Sequence, residues 1–491
     1  MKTISVSDPL TGNKLHEIAA HSKAEVALKF QAGRDAQVEW ANRPAKERAG
    51  IANKIAGLLV EREEQILDLL QKETGKSKAH AFEELTGALG AVAYYAKTVS
   101  GLMRRKRVRA GVPFMISAFV EPSPVGVVGI ITPWNYPLAL TMMDVIPALM
   151  AGNAVVQKAD NQTAKTVQLA RDLSVEAGIP EDIWQVVHGD ATEVGNAVTD
   201  HADFVAFTGS TATGKLVAAR AASRLVGYAL ELGGKNPMIV LPGADLEKAA
   251  EIAIGGAFGN SGQLCVAIER LYVPSHDLQE FELILKRRVE SLKLGSSNKF
   301  DFDLGALTSS AQLQRVSGFV DRAKQEGAVV LTGGRALLDL GPNFYAPTVI
   351  TQIPLGAEIL HKEVFGPVIA LVGYEGLDQA IELSNASEYG LNASVVGNRR
   401  QALQVASKLM AGSVNINEGY RATMASMAAP MGGMKQSGMG RRSGPQGLLR
   451  FTESRTIGVS NNFPIKLPTR ARQYLRLAPI MTKMVRWMGK L

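Results

Sequence analysis

Residues 124–158, PVGVVGIITPWNYPLALTMMDVIPALMAGNAVVQK, carry the decision about the fold. VGVVGIIT is a short β-branched run that reads as a buried strand. Pro133 and Pro137 bracket a loop, an apolar helical stretch leads to Gly152 and Asn153, and AVVQK is a second buried strand. A membrane helix needs about 20 mostly apolar residues, and the longest apolar stretch, 138–157, is interrupted by Asp144, Pro147, Gly152 and Asn153. A buried helix, a turn and a buried strand fit it better. Strand, helix and strand in that order build a parallel sheet covered by helices.

Working outward, the same texture returns in DFVAF (203–207), MIVL (238–241) and LYVP (271–274), each beside a helical stretch. A second alternation runs through AVVLT (328–332), ASVVG (393–397) and SVNIN (413–417). Upstream, 23–99 is helical in pattern, with amphipathic helices over 45–61 and 64–74, the second stopped by Gly75. A chain of 491 residues exceeds one compact core, so two or three domains are expected. The fold class is α/β: two parallel-sheet α/β units with a cleft between them.

The net charge is +8, yet seven cations and no acid follow Gly458, leaving +1 for the rest. The basic balance therefore belongs to the tail and does not argue for nucleic-acid binding by the body. Arg104, Arg105, Lys106, Arg107 and Arg109 form a second basic run, read as a solvated or subunit-contact loop. MKTISVSDPLTG has no apolar core, so no secretory signal is expected. One cysteine makes no intrachain disulfide, and the seven histidines lack metal-ligand spacing. A cytoplasmic protein without a metal site is expected.

Four segments carry chemistry. GNSGQLC (259–265) places the sole cysteine, Cys265, after a polar small-residue turn; such a lone thiol is either a small buried hydrophobe or a nucleophile. Glu231 in ELGGKNP is either a surface acid or, in a cleft, a base for water. Asn135 in TPWNYP is either an Asx turn or an amide donor to an oxyanion. TGSTATGK (208–215) follows a strand and opens a helix, which suits phosphate binding at backbone N–H groups. It nearly spells a nucleotide-triphosphatase P-loop, but Leu216 stands where Ser or Thr must meet Mg²⁺.

Together with AGNAVVQK (151–158), EVFGPV (363–368) and PMGGMKQSGMGR (430–441), these segments resemble, in order, the aldehyde dehydrogenase superfamily over about 7–457. The resemblance implies a dinucleotide-binding domain at 1–101 and 125–233, a catalytic domain at 234–436 and a small β oligomerisation element at 102–124 and 437–460. Residues 461–491 remain as a basic extension. It implies that Cys265 attacks an aldehyde, that Asn135 holds the oxyanion, and that Glu231 activates the water that releases the acid. The cofactor, NAD or NADP, would contact Trp134, Lys158, Asn161, Gly209, Ser210, Gly214, Leu232, Glu363 and Phe365. A homodimer or homotetramer is implied.

Three departures from the family pattern matter. Where relatives often read K-P-S-E, this chain has Lys158-Ala-Asp-Asn161, and losing that glutamate favours a ribose 2′-phosphate by about 1–2 kcal/mol. NADP is thus the expected preference, with NAD accepted. Arg442 replaces a glutamate common in relatives, so a proton relay through that position is lost. The chain looks closest to actinobacterial succinate-semialdehyde dehydrogenases, yet Met143 and Gly259 stand where better-known semialdehyde enzymes carry arginines. Arg421, with Tyr136, is the substitute candidate for holding a distal carboxylate. In the tail, Arg472, Arg476, Lys483 and Arg486 interleave with Tyr474, Leu475, Leu477, Met484, Val485 and Trp487. This basic amphipathic arm suits either a subunit interface or an anionic membrane. The rival classes are a P-loop NTPase, disfavoured by Leu216, and a non-catalytic scaffold, disfavoured by the intact Cys265, Glu231 and Asn135.

Overall fold

The computed structural model describes residues 2–110, 116–461 and 469–488. Lys466 and Lys490 of the basic tail lie outside these residues, and the side chains of Arg476, Leu477 and Met484 are likewise not described. The chain divides into two compact units, Met1–Leu102 with Pro124–Thr452, and Met103–Ser123 with Glu453–Leu491.

The first unit holds both parallel sheets. Val127–Ile131 pairs on one side with Ala154–Lys158 and then Trp184–Val187, and on the other with Phe204–Thr208 and then Gly227–Glu231, all parallel. The chain builds the sheet outward in one direction, then returns to build it in the other. Strand order therefore reverses between Val127–Ile131 and Phe204–Thr208, the position at which parallel sheets open a crevice for ligands. Both strand ends there lead into motif residues, 132–135 and 208–210. The short edge strand Gly438–Met439 pairs antiparallel with Leu230 and Glu231. Residues 437–452 therefore pack with the body, and the second segment of the second compact unit starts at Glu453.

The change of sheet falls between Glu231 and Asn236. Asn236–Val240 is central in a seven-stranded sheet, flanked by Ile268–Pro274, Val368–Tyr374 and Thr348–Thr351 on one side and Asn392–Val396 and Ser413–Ile416 on the other. Only the edge strand Val329–Thr332 runs antiparallel. The second unit contains a three-stranded sheet of Thr452–Ser460, Ile116–Pro124 and Lys106–Val108. Of its basic run, Arg105 pairs with Glu121, a carboxylate it shares with Arg455.

The helix Pro137–Met150, the apolar heart of the opening segment, is buried along its whole length. Proline at its first position costs nothing, since that N–H has no helical partner. Its other terminal groups must be satisfied from elsewhere, because water cannot reach them. The Glu84 carboxylate accepts from Leu138 N–H at 2.7 Å and Ala139 N–H at 3.2 Å. At the other end, Trp40 Nε1 donates to the Leu149 carbonyl and Arg48 Nε to that of Met150, each at 2.9 Å. Helices from the first hundred residues thus set the position of the loop that precedes this helix.

Candidate active site

The loop 132–136 is fixed at Asn135 from two directions. Lys76 is fully buried, pairs with Glu84 and donates from Nζ to the Asn135 carbonyl at 2.8 Å. Asn260 Nδ2 donates to the same carbonyl at 3.0 Å, and Asn135 Nδ2 donates to the Gln263 carbonyl at 3.0 Å. The Asn135 side chain is therefore tied to the cysteine loop itself.

That loop follows the helix Leu246–Ala257 and passes through a tight turn, Gly259–Gly262, in which Asn260 and Ser261 adopt left-handed backbone angles, φ 50° and 54°. A Cβ at Gly262, φ +72°, would lie 2.1 Å from the Gly366 carbonyl oxygen. Asn236 Nδ2 donates to the Cys265 carbonyl at 2.8 Å and locks the far side. Cys265 itself is half-buried, and burial, reinforced by the Glu363 carboxylate, pushes its thiol up to about 12.

Glu231 ends the strand Gly227–Glu231. Its Oε1 is buried without a hydrogen-bond partner, and burial pushes the carboxyl up to about 7 against the pull of Arg442 and Arg450. Arg442 is fully buried; it donates from Nε and Nη2 to Asp144 at 2.9 and 2.6 Å, and from Nη2 to Thr208 Oγ1 at 2.6 Å. Burial raises the Asp144 pKa, but Arg442 and Arg450 outweigh it and hold the carboxylate below its usual range.

On the opposite wall, Glu269 pairs with Lys235 at 2.5 Å and accepts from Val364 and Phe365 N–H, which fixes the loop carrying Glu363 and Phe365. Phe365, at φ 61°, meets Trp134 edge to face at 5.7 Å between ring centres. Glu363 accepts from Gly234 N–H at 2.9 Å, and burial followed by the Glu269 charge pushes its carboxyl up to about 7.

These segments enclose a cleft of about 740 Å³ lined by Trp134, Asn135, Gly209, Ser210, Glu231, Leu232, Cys265, Glu363 and Phe365. Gln312 and Arg315, unmarked in the sequence reading, also line it; they donate to the Phe365 and Glu363 carbonyls. Gly214 lies beneath, where a Cβ would meet the Leu232 side chain at 2.5 Å. Lys158 ends the adjacent strand, its pKa lowered by burial although Asp160 and Asp190 favour its charge. Asn161 exchanges two hydrogen bonds with the backbone of Gly189, at 2.9 and 3.1 Å. The helix Thr211–Ser223 begins at the cleft with Ser210 as its cap. Lys215 turns to Gln436 at 2.8 Å on the surface, not toward the turn, which removes the remaining support for a triphosphatase P-loop.

Tyr136 and Arg421 meet in a second cavity of about 900 Å³, together with Leu264, Ala139, Met143, Met424 and Met427. The Tyr136 hydroxyl is buried and unpartnered. Arg421 is half exposed and already engaged, with Glu83 at 3.4 Å and Glu418 at 3.7 Å. No arginine fits at Gly259, where even a Cβ would approach the Tyr420 hydroxyl at 2.5 Å. Lys76, Glu84 and Asp144 also escaped the sequence reading as site residues. For Asp144 alone, a lone charge inside an apolar helix was the available signal, since unpaired acids are almost never fully buried.

Known proteins are similar to this chain in sequence and fold. A protein of Mycobacterium tuberculosis, provisionally named succinate-semialdehyde dehydrogenase [NADP(+)] 2, is 43% identical over 95% of this chain and 90% of its own length. A similarly named Mycolicibacterium smegmatis protein is 43% identical over 99% of this chain and 94% of its own. The structure of betaine aldehyde dehydrogenase from Staphylococcus aureus in complex with NAD+ superposes with a TM-score of 0.90 at 32% identity, covering 96% of this chain and 94% of that one. The description "aldehyde dehydrogenase family" matches residues 1–457, and with such coverage and identity the chain belongs to the aldehyde dehydrogenase family.

Proposed function

We propose that the chain oxidises an aldehyde to its carboxylic acid with Cys265 as nucleophile, Asn135 as oxyanion donor and Glu231 as base. The supporting observation is that these three residues, from separate segments, line one cleft beside the cap of the helix Thr211–Ser223. A thiol pushed up to about 12 is protonated at neutral pH, so attack on the carbonyl carbon must release its proton to a neighbouring base. Glu231, with a carboxyl near 7 and an unpartnered oxygen, suits that role. As the Cys265–carbon bond forms, the carbonyl oxygen becomes an alkoxide, which Asn135 Nδ2 and the Cys265 N–H would hold. A bound nicotinamide supplies the acceptor for the hydride that leaves that carbon. Once Glu231 has passed the thiol proton to solvent, it takes a proton from the water that attacks the resulting thioester and returns it to the departing sulfur, which frees the thiol and the acid. Alanine at Cys265 is expected to abolish turnover while cofactor affinity stays unchanged; retained turnover would overturn the assignment.

For the dinucleotide, the fit is local. Ser210 caps only the Thr213 N–H, which leaves earlier N–H groups of the helix Thr211–Ser223 for a pyrophosphate, and Lys158 ends the strand beyond Val127–Ile131. The amide of Asn161, held on the Gly189 backbone, adds no further negative charge to those of Asp160 and Asp190 beside Lys158, which favours NADP over NAD. For the aldehyde, the names of the mycobacterial relatives suggest succinic semialdehyde, with Arg421 exchanging Glu83 for the distal carboxylate. A second reading, an uncharged aliphatic aldehyde, is favoured by the three methionines of the second cavity and by the existing Arg421–Glu83 pair. One kinetic panel addresses both questions. Arg421→Ala should raise KM for succinic semialdehyde far more than for a neutral aldehyde; equal effects would discard the arginine, and tenfold better efficiency with NAD would discard the cofactor preference. We further propose a homodimer or homotetramer in the cytoplasm.

A further inference from the structure

The helix Ala471–Met488 belongs to the second unit, and its described side chains are exposed. At about 100° per residue, Arg472, Lys483 and Arg486 fall within one arc of about 60°. Tyr474, Leu475, Ala478, Ile480, Val485 and Trp487 take the rest of the circumference, with Leu475 at 79% and Trp487 at 64% exposure. The helix contains no acidic residue. Large apolar side chains left in water are unfavourable, so this surface calls for a cover.

We infer that this helix binds flat on the surface of an anionic lipid bilayer, its apolar side in the acyl boundary and its cations among the headgroups. Charge complementarity favours that partner. A second copy of this chain offers little attraction, because the residues before the tail sum to only +1. A nucleic acid would pair with the cations but leave the apolar arc in water. Tryptophan and tyrosine suit an interface that is apolar on one side and wet on the other. Among the described residues no helix is long and apolar enough to cross a membrane, so an in-plane position is the one available.

The test is sedimentation of the full-length protein with vesicles of phosphatidylcholine, with and without about one third phosphatidylglycerol. The protein should pellet with the anionic vesicles and at least tenfold less with neutral ones. Each cation near the surface contributes about fivefold, so Arg472→Glu, Lys483→Glu and Arg486→Glu together should abolish binding while dehydrogenase activity in solution is retained. A Leu475→Ser, Val485→Ser variant, which keeps every charge, should also lose binding. Equal pelleting on both vesicle types, or none on either, overturns the inference. So do substitutions that change oligomer size without affecting vesicle binding, which would make the helix a subunit contact. Binding relieved by competing RNA but not by loss of Leu475 and Val485 would assign the helix to a polyanion instead.

Discussion

Glu231 meets the solvent range at an unusual point for a glutamate, because burial brings its carboxyl to about 7. If it is the base, turnover should fall roughly tenfold per pH unit below about 7 and level off above it. Arg442 opposes the effect of burial, so removing its charge should raise the Glu231 pKa. Arg442→Met is therefore expected to shift the acid limb of the kcat profile to higher pH. It should also cost about 3–5 kcal/mol of stability, since Asp144 loses one of its two buried cations. A pH–rate series and a denaturant titration check the two halves separately, and an unmoved limb would assign the base elsewhere. Cys265, Glu231 and Asn135 were legible as candidates because each sits in an odd local context. Asp144 was legible only as a break in an apolar run, because its partners lie some 300 residues further on.

Helix ends explain more of the geometry than strands do. Glu84 caps the N-terminus of Pro137–Met150, and Lys76, paired with it, reaches the Asn135 carbonyl. Lys76→Met leaves Glu84 as an uncompensated buried charge and should destabilise by about 3–5 kcal/mol. It also frees the loop that aims Asn135, so kcat should drop more than KM rises, and steady-state kinetics alongside thermal unfolding tests this. Unchanged kcat would mean that Asn260 alone holds the loop. The strands were readable from short β-branched runs such as AVVQK, whose burial on both faces leaves a continuous apolar pattern. These caps were not readable, because a glutamate within a helix carries no mark of a distant helix end to which it will bond.

Across the whole molecule, buried carboxyls make folding sensitive to pH in a definite direction. Glu73, on the helix Glu63–Thr74, accepts from Thr166 N–H and Oγ1 at 2.9 and 2.7 Å, and burial pushes it up to about 7 from an ordinary 4.5. Its folded pKa lies above its unfolded one, so its contribution is complete below about 4.5 and is lost as pH rises through about 7. Glu73→Gln should therefore gain on the native protein by about 3 kcal/mol between pH 5 and 8, measured as unfolding free energy; a constant difference would refute the shift. His80 and His188, lowered by burial to about 3 and about 4, act in the opposite sense and lose stability as pH falls below their unfolded value of 6.5. The two sheets were legible at this scale from alternating strand and helix patterns. The pairing of Gly438–Met439 with Leu230 and Glu231 was not, because a two-residue edge strand is too short to announce which sheet it joins. Two cavities of the body share one stretch of backbone. Asn135 and Cys265 face the first cavity while their chain neighbours Tyr136 and Leu264 face the second, so the partition between the two is the backbone that carries the reactive groups. A shift of that stretch of backbone alters both cavities together, so a substitution that crowds one is expected to be felt in the other.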